Sequence, residues 1–413
     1  MLIANARATR TLYPDELRSI MSIERAQESR RWLSTWTGIA HEATPLYDLP
    51  GIALELGIAR FSVKDESVRS PLGSFKALGA PIALVRQILR LHPELNPASI
   101  LAGRYAQQLQ DYTVISATDG NHGRGLAAAA HDAGCRCVIV LHANVSVERE
   151  RAIAVHGAQI VRIQGNYDES VQEAARLAKA NGWQVVSDTS YEGYEDIPRD
   201  VMQGYGTIAA EIVEQTGARP GEVGAFTHVL LQGGVGGMAA GLASYLWEYQ
   251  GEHRPRFIVV EPAQADCLLQ SAIQGRAAKA TGTVDSVMAG LACGETSPLA
   301  WKFLQTSVDH FMTIEDGQAV EAMRTLAEGS DEDVPIVAGE SGTAGLAALR
   351  VLHGNPALSG QLGLDARSRA LIINTEGATA PQVYEELVGE SAASVLQRQA
   401  AWAARTEASR TPA

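Results

Sequence analysis

The chain holds 413 residues, 46% of them hydrophobic and 20% charged, with a formal net charge of −13. That composition is globular and long enough for two or three domains, and its acidity argues against a nucleic-acid partner. No apolar run is long enough to cross a bilayer, and the opening MLIANARATRTLYPDEL lacks the apolar segment of a secretion signal. Four cysteines, Cys135, Cys137, Cys267 and Cys293, do not make a disulfide framework in a chain of this size. Cys135 and Cys137 share one face of a strand and read as buried thiols in a reducing cytoplasm, not as a metal pair, so no metal is expected.

Taken in order, residues 24–37 read as a helix, and Thr44-Pro45-Leu46 opens an extended piece. Residues 61–63 form a short strand, followed by the charged group Lys64-Asp65-Glu66. Next comes SPLGSFKALGA, from Ser70 to Ala80. Pro71 and Gly73 break regular structure and Ser74 is a good N-cap, so a helix is expected from there to about residue 91. Phe75, Leu78, Ile82, Val85, Ile88 and Leu89 recur at helical spacing, with Pro81 kinking or restarting the helix. Lys76 would lie in its first turn, the wrong end of the macrodipole for a cation. Dipole and burial would both favour the neutral amine, which can form a Schiff base with a carbonyl. The plainer alternative is a surface lysine whose stem lies along apolar surface.

A loop is expected over 96–111. Strands at 113–117, 135–141, 158–163 and 184–187 then alternate with helices at 126–133, 147–155 and 167–180, the pattern of a parallel sheet covered on both faces. A second alternating set follows, with strands at 227–232, 256–260 and 369–374 and helices at 201–215, 264–274, 316–328 and 342–352. The first sixty residues are assigned to this second set. The expected organisation is a large domain of 1–70 and 189–413 with a small α/β domain, 71–188, inserted into it. After residue 391 the chain is rich in Ala, Arg and Ser and reads as a frayed tail. No repeat of solenoid period is present.

Two loops carry chemistry. Gly233, Gly234, Val235, Gly236 and Gly237 follow a strand and open a helix, so free amides and a helix start are offered to an anion, most naturally a phosphate. Gly234, Gly236 and Ala239 also satisfy the dinucleotide pattern, with Glu261 ending the next strand. Thr118-Asp119-Gly120-Asn121-His122-Gly123 likewise joins a strand to a helix, at the carboxyl end where ligands bind. N-capping accounts for Thr118 or Asp119, but not for six small or polar residues together.

SFKALGA, DGNHGRG and GGVGG together resemble the fold type II, tryptophan synthase β-like, pyridoxal-phosphate enzymes. More narrowly, KDESVRSPLGSFKALGA, ATDGNHGRG, DTSYEGY with IPRDVMQGY, MAGLACGE, AGESGTAG and NTEG resemble the diaminopropionate ammonia-lyase family, in family order over roughly residues 30–390. The resemblance implies an α/β fold of two parallel-sheet domains with the active site in the cleft between them. It implies a pyridoxal 5′-phosphate cofactor held covalently by Lys76, flanked by Phe75. Asn121 would meet the ring's 3′-oxygen, Gly233 to Gly237 the phosphate, and Thr375 (in preference to Asn374) the pyridine nitrogen. Thr118 and neighbouring amides would take the carboxylate of a small amino-acid substrate. Lys76 would act as base on one face and Asp119 on the other, and Asp188 would hold the cationic side chain. A homodimer is expected on the same ground.

The chain departs from the family at Ala378-Thr379-Ala380, where relatives tend to be acidic. Ser341 is read as a helix N-cap or a cofactor neighbour, His122 as a structural loop residue and Cys293 as inert. Competing readings are another β-eliminating lyase, such as a serine, threonine or hydroxyaspartate dehydratase, a nicotinamide-dependent oxidoreductase, and a non-catalytic ligand-binding relative.

Overall fold

The computed structural model describes residues 1–118 and 120–410; Asp119 and residues 411–413 lie outside the described residues. Eleven strands are found among them: β1 Leu2–Ala4, β2 Leu46–Asp48, β3 Arg60–Asp65, β4 Thr113–Ala117, β5 Arg136–Leu141, β6 Gln159–Arg162, β7 Gln184–Val185, β8 His228–Gln232, β9 Arg256–Pro262, β10 His310–Ile314 and β11 Arg369–Asn374. They form a seven-stranded sheet of order β1-β10-β9-β8-β11-β3-β2 and a four-stranded sheet of order β6-β5-β4-β7. The smaller sheet is wholly parallel. The larger is parallel except at its rims, where β1 and β2 run antiparallel to β10 and β3.

The central strands of the large sheet are apolar on both faces because helices cover both. Val229, Leu231, Phe257, Val259, Leu371 and Ile373 point into one core, and Leu230, Ile258, Val260, Ala370 and Ile372 into the other. That is the period of two expected of side chains that alternate across a sheet. The first core also takes in Val114, Ile139 and Leu141 of the small sheet, through the helices Ala80–Leu91, Asn121–Ala133 and Asp196–Gln215. The two sheets thus share one apolar layer, and the loops at the carboxyl ends of β4, β7, β8 and β11 converge beside it.

Several expectations need correction. The Lys76 segment is not the first turn of the long helix. Phe75–Leu78 is a separate 3₁₀ turn, and the α-helix starts at Ala80 with Pro81 in its first turn, where the missing N–H costs nothing. Ser74 precedes the 3₁₀ turn without capping it through its side chain. The helix after Thr118 begins at Asn121, five residues earlier than the alanine run suggests. The 96–111 segment contains the short helices Pro97–Ile100 and Ala106–Leu109. Lys64 and Asp65 lie in β3 and are buried, as is Glu66. The C-terminal segment is no frayed tail but a helix, Ala392–Arg410. It is docked by fully buried Val395 and by Gln399, whose side chain donates to the carbonyl of Pro335 at 2.8 Å.

Candidate active site

The segment carrying Lys76 is strapped to the end of β11. The Gly377 amide donates to the Gly73 carbonyl at 2.9 Å, and the Phe75 amide to the Thr375 carbonyl at 3.0 Å. Anchored in this way at its leading end, the short 3₁₀ turn Phe75–Leu78 carries Lys76 into the space between the two sheets. Its Nζ donates to Asp188 Oδ2 at 2.5 Å. The Lys76 side chain is 20% exposed and that of Asp188 19%, so the pair is largely shielded from solvent.

The expectation that Lys76 is driven towards the neutral amine is reversed in this pair. Burial pulls its pKa down, but the Asp188 carboxylate, helped by Tyr205, holds it above the usual lysine value. In turn, burial would raise Asp188, yet the Lys76 ammonium and then His122 hold it below the usual carboxylate range. Lys76 sits in the 3₁₀ turn before the α-helix and not in that helix's first turn.

Tyr205 stands beside this pair. Its ring packs on Phe75 with centroids 4.8 Å apart, and Lys76 Nζ lies 6.0 Å from its centre. Burial pushes the phenol up to about 12, so it remains a donor at neutral pH, and its hydroxyl has no hydrogen-bond partner among the described residues. His122 Nε2 donates to the Val186 carbonyl at 2.9 Å, and its Nδ1 lies 3.8 Å from Asp188 Oδ2. Burial lowers its pKa, and the buried ring is held between the Val186 carbonyl and Asp188.

In the 118–123 loop, Thr118 Oγ1 accepts from the amides of Gly120 at 3.2 Å and Gly123 at 3.3 Å. Thr118 therefore does cap the turn, and its O–H remains available to donate. Asn121, the first residue of its helix, crosses to the other sheet: Nδ2 donates to Glu376 Oε2 at 2.5 Å.

The glycine loop is shaped from below. A Cβ on Gly233 would lie 2.5 Å from Glu261 Cγ, and one on Gly236 2.9 Å from Leu304 Cδ1. Gly234 and Gly236 also have φ of +61° and +97°, which side chains rarely adopt. The helix Gly237–Gln250 starts without a side-chain cap, so its first amides are left to an anion. Glu261, which completed the dinucleotide pattern, is fully buried and accepts from the Leu268 and Leu269 amides at 2.9 and 2.8 Å. Burial raises it to about 8. It is spent on a helix start and has no reach to a ribose.

At the end of β11, Asn374 and Thr375 differ in their partners. Asn374 is fully buried, with Nδ2 donating to Asp65 Oδ1 at 2.8 Å and to the Val337 carbonyl at 3.0 Å. Thr375 is 3% exposed, and no such commitment ties down its hydroxyl among the described residues. Ser341 is not a cap: Thr343 precedes the helix Ala344–His353, and Ser341 Oγ accepts from the Gly290 amide at 3.0 Å. Cys293 Sγ lies near Gly234, at the edge of the glycine loop.

These parts fit pyridoxal phosphate: a lysine in a shielded cleft, an uncapped glycine-lined helix start, and an orphan phenol between them. Sequence reasoning missed Tyr205, Glu340, Glu376 and Arg149. Tyr205 and Glu376 sit inside motifs that were noticed for their neighbours. Glu340 Oε1 lies 3.5 Å from Arg149 of the helix Val147–Ala154. Burial, and then the Glu376 charge, raise Glu340 to about 7. Arg149, in the first turn of an ordinary surface helix, gave no signal.

The family model described as pyridoxal-phosphate dependent enzyme matches residues 39–376. The chain belongs to this family, with pyridoxal phosphate as cofactor, and the dinucleotide reading falls. Among its relatives within the family are diaminopropionate ammonia-lyases. That of Salmonella typhimurium is 38% identical over 358 residues, covering 84% of this chain and 88% of that protein. The protein of the same name from Escherichia coli (strain K12) is 36% identical over 392 residues, covering 93% and 96%. The crystal structure of the holo Escherichia coli diaminopropionate ammonia lyase superposes with a TM-score of 0.84 at 35% identity, covering 94% of this chain and 96% of that one. Another structure of it, at 0.83, holds an aminoacrylate-PLP azomethine reaction intermediate.

Proposed function

We propose that this chain catalyses α,β-elimination of ammonia from 2,3-diaminopropionate, leaving aminoacrylate, which water hydrolyses to pyruvate and a second ammonia. The observation that carries the reading is the shielded Lys76–Asp188 pair between a glycine-lined helix start and the 118–123 loop. Pyridoxal phosphate, when bound, supplies a carbonyl that links to amines and a ring that takes up the electron pair left by the departing α-proton.

The residues divide the remaining work. Lys76 would hold the cofactor, and its amine, when released, would remove the α-proton on one face. Asp188 then loses its counterion, and a carboxylate so placed takes the substrate's β-ammonium. Asp119, outside the described residues, serves as base on the opposite face, which would let both enantiomers react. Thr118 and the loop amides hold the substrate carboxylate. Gly233, Gly234, Val235, Gly236 and Gly237 hold the phosphate, Asn121 the 3′-oxygen, Thr375 the ring nitrogen, and Phe75 walls the site. The commitment of the Asn374 carboxamide to Asp65 and Val337 supports Thr375. A hydroxyl partner leaves that nitrogen uncharged, which favours elimination over transamination.

The same reading divides the chain into a large domain, 1–70 and 189–413, and a small one, 71–188, in a cytoplasmic homodimer. Sizing chromatography with light scattering tests the dimer. Counting ammonia per pyruvate tests the reaction: two equivalents are expected from the diamino acid. One equivalent, from a hydroxy amino acid turned over faster, would instead make the chain a dehydratase.

A further inference from the structure

Asn121 and Glu376 meet across the cleft, one at a helix start beside the small sheet and the other just past β11 of the large sheet. An asparagine carboxamide is nearly symmetrical in shape but not in polarity, and either end can face a ligand. A carboxylate only accepts hydrogen bonds. With Glu376 Oε2 taking one Nδ2 hydrogen at 2.5 Å, the carbonyl end cannot occupy that place. The second Nδ2 hydrogen has no partner among the described residues.

Glu376 is itself held in position. It is 4% exposed, its Oε1 accepts from the Ser341 amide at 3.3 Å, and its carbonyl accepts from the Gly339 amide at 2.8 Å. A cavity lined by Gly120, Asn121, Arg149, Gly290 and Glu376 opens beside the pair.

We propose that Glu376 is a positioning residue for the cofactor, fixing the Asn121 carboxamide so that an N–H and not a carbonyl oxygen meets the ring's 3′-oxygen. This rests on the reading that Asn121 faces that oxygen. A reversed carboxamide would set two oxygens against each other in a shielded site, where an unmatched polar contact costs most. The end of β11 would then serve both poles of the ring, the nitrogen through Thr375 and the oxygen through Asn121.

Glu376→Gln tests this, because glutamine keeps the shape but pairs equally well with either orientation of Asn121. Cofactor-free protein is titrated with pyridoxal phosphate by equilibrium dialysis, and the visible band is followed against pH. Glu376→Gln should weaken the cofactor roughly tenfold, as for loss of one charge-assisted hydrogen bond, and shift the pH midpoint of the band. Asn121→Ala should do the same, and the double variant should be no worse than Asn121→Ala alone. Parental affinity and midpoint in Glu376→Gln, or a double variant showing the product of both losses, would overturn the proposal. If Glu376→Gln does not fold, Glu376→Asp and Glu376→Asn carry the same contrast one methylene shorter. The aspartate variant must bind the cofactor more tightly, and equal binding overturns the proposal. A parent protein with no visible band, or one that Lys76→Ala retains, would instead sink the underlying assignment of the cofactor.

Discussion

Two buried lysines in this protein each touch one carboxylate at close range, yet their surroundings differ. Lys64 Nζ donates to Glu211 Oε2 at 2.6 Å, to the Thr44 carbonyl at 2.7 Å and to Gln215 Oε1 at 3.0 Å, so all three of its hydrogens are placed. Glu211 is shared with Arg69, which also pairs with Glu66, and the set is sealed from solvent. Burial lowers the pKa of Lys64 even against Glu211 and Glu66. Lys76 has a single hydrogen-bond partner among the described residues, Asp188, with the orphan Tyr205 hydroxyl beside it. A saturated network has nothing to exchange, whereas a lone pair with an unsatisfied neighbour can trade its partner for a ligand. The contact distance is nearly the same in the two sites; the number of partners around the lysine is what differs.

The contrast can be broken most severely at Lys76. Lys76→Ala should abolish both keto-acid release and the visible absorption of the bound cofactor, while circular dichroism stays parental. Asp188→Asn comes next. Neutralising this partner should lower kcat/KM by roughly ten- to a hundredfold, as for loss of one charge-assisted contact with the substrate's β-ammonium, with the cofactor still bound. In the saturated network the loss should appear as stability instead. Glu211→Gln leaves Lys64 and Arg69 buried against a neutral group, and urea titration should show a loss of about 3–5 kcal/mol, the cost of breaking a buried pair. Turnover per folded molecule should scarcely change.

A smaller effect is expected from pH. Asp188 is depressed in the folded protein, so its stabilisation is present above the usual 3.8 and is lost as pH falls from there through the lower folded value. Lys76 is raised, so its share is lost only as pH climbs above the usual 10.5. Glu340 behaves oppositely to Asp188. Raised from 4.5 to about 7, it stabilises the folded chain at acid pH, and that share is lost as pH rises through about 7. Arg149, 3.5 Å away, offsets part of the loss. The melting temperature of cofactor-free Glu340→Gln should therefore fall less than the parent's between pH 5 and pH 8.

The small sheet was legible nearly strand for strand, because β4 to β7 follow one another with short connections and each announces itself as an apolar run. The large sheet was harder. Its members come from both ends of the chain, and the rim strand β1 is three residues long, too short to carry a period. β10 and the helix Pro298–Ser307 before it also passed unnoticed. In the site, Lys76, Asn121, the glycines and Asp188 could be found as polar or small residues at strand ends. Glu376 and Tyr205 could not, since nothing local distinguishes a glutamate that reaches across a cleft from one that reaches into water.

The order of residues alone determined the alternation of strands and helices, the lysine turn and the anion-ready glycine loop, because each depends on neighbours within a few positions. Only the folded chain decided which charge faces which. The proton on Lys76 is held by a residue 112 positions away, Glu261 is consumed by a helix start, and Asn121 is turned by a carboxylate 255 positions further on. Electrostatic interactions act through space, and in a shielded interior they outweigh the local preferences that sequence makes visible.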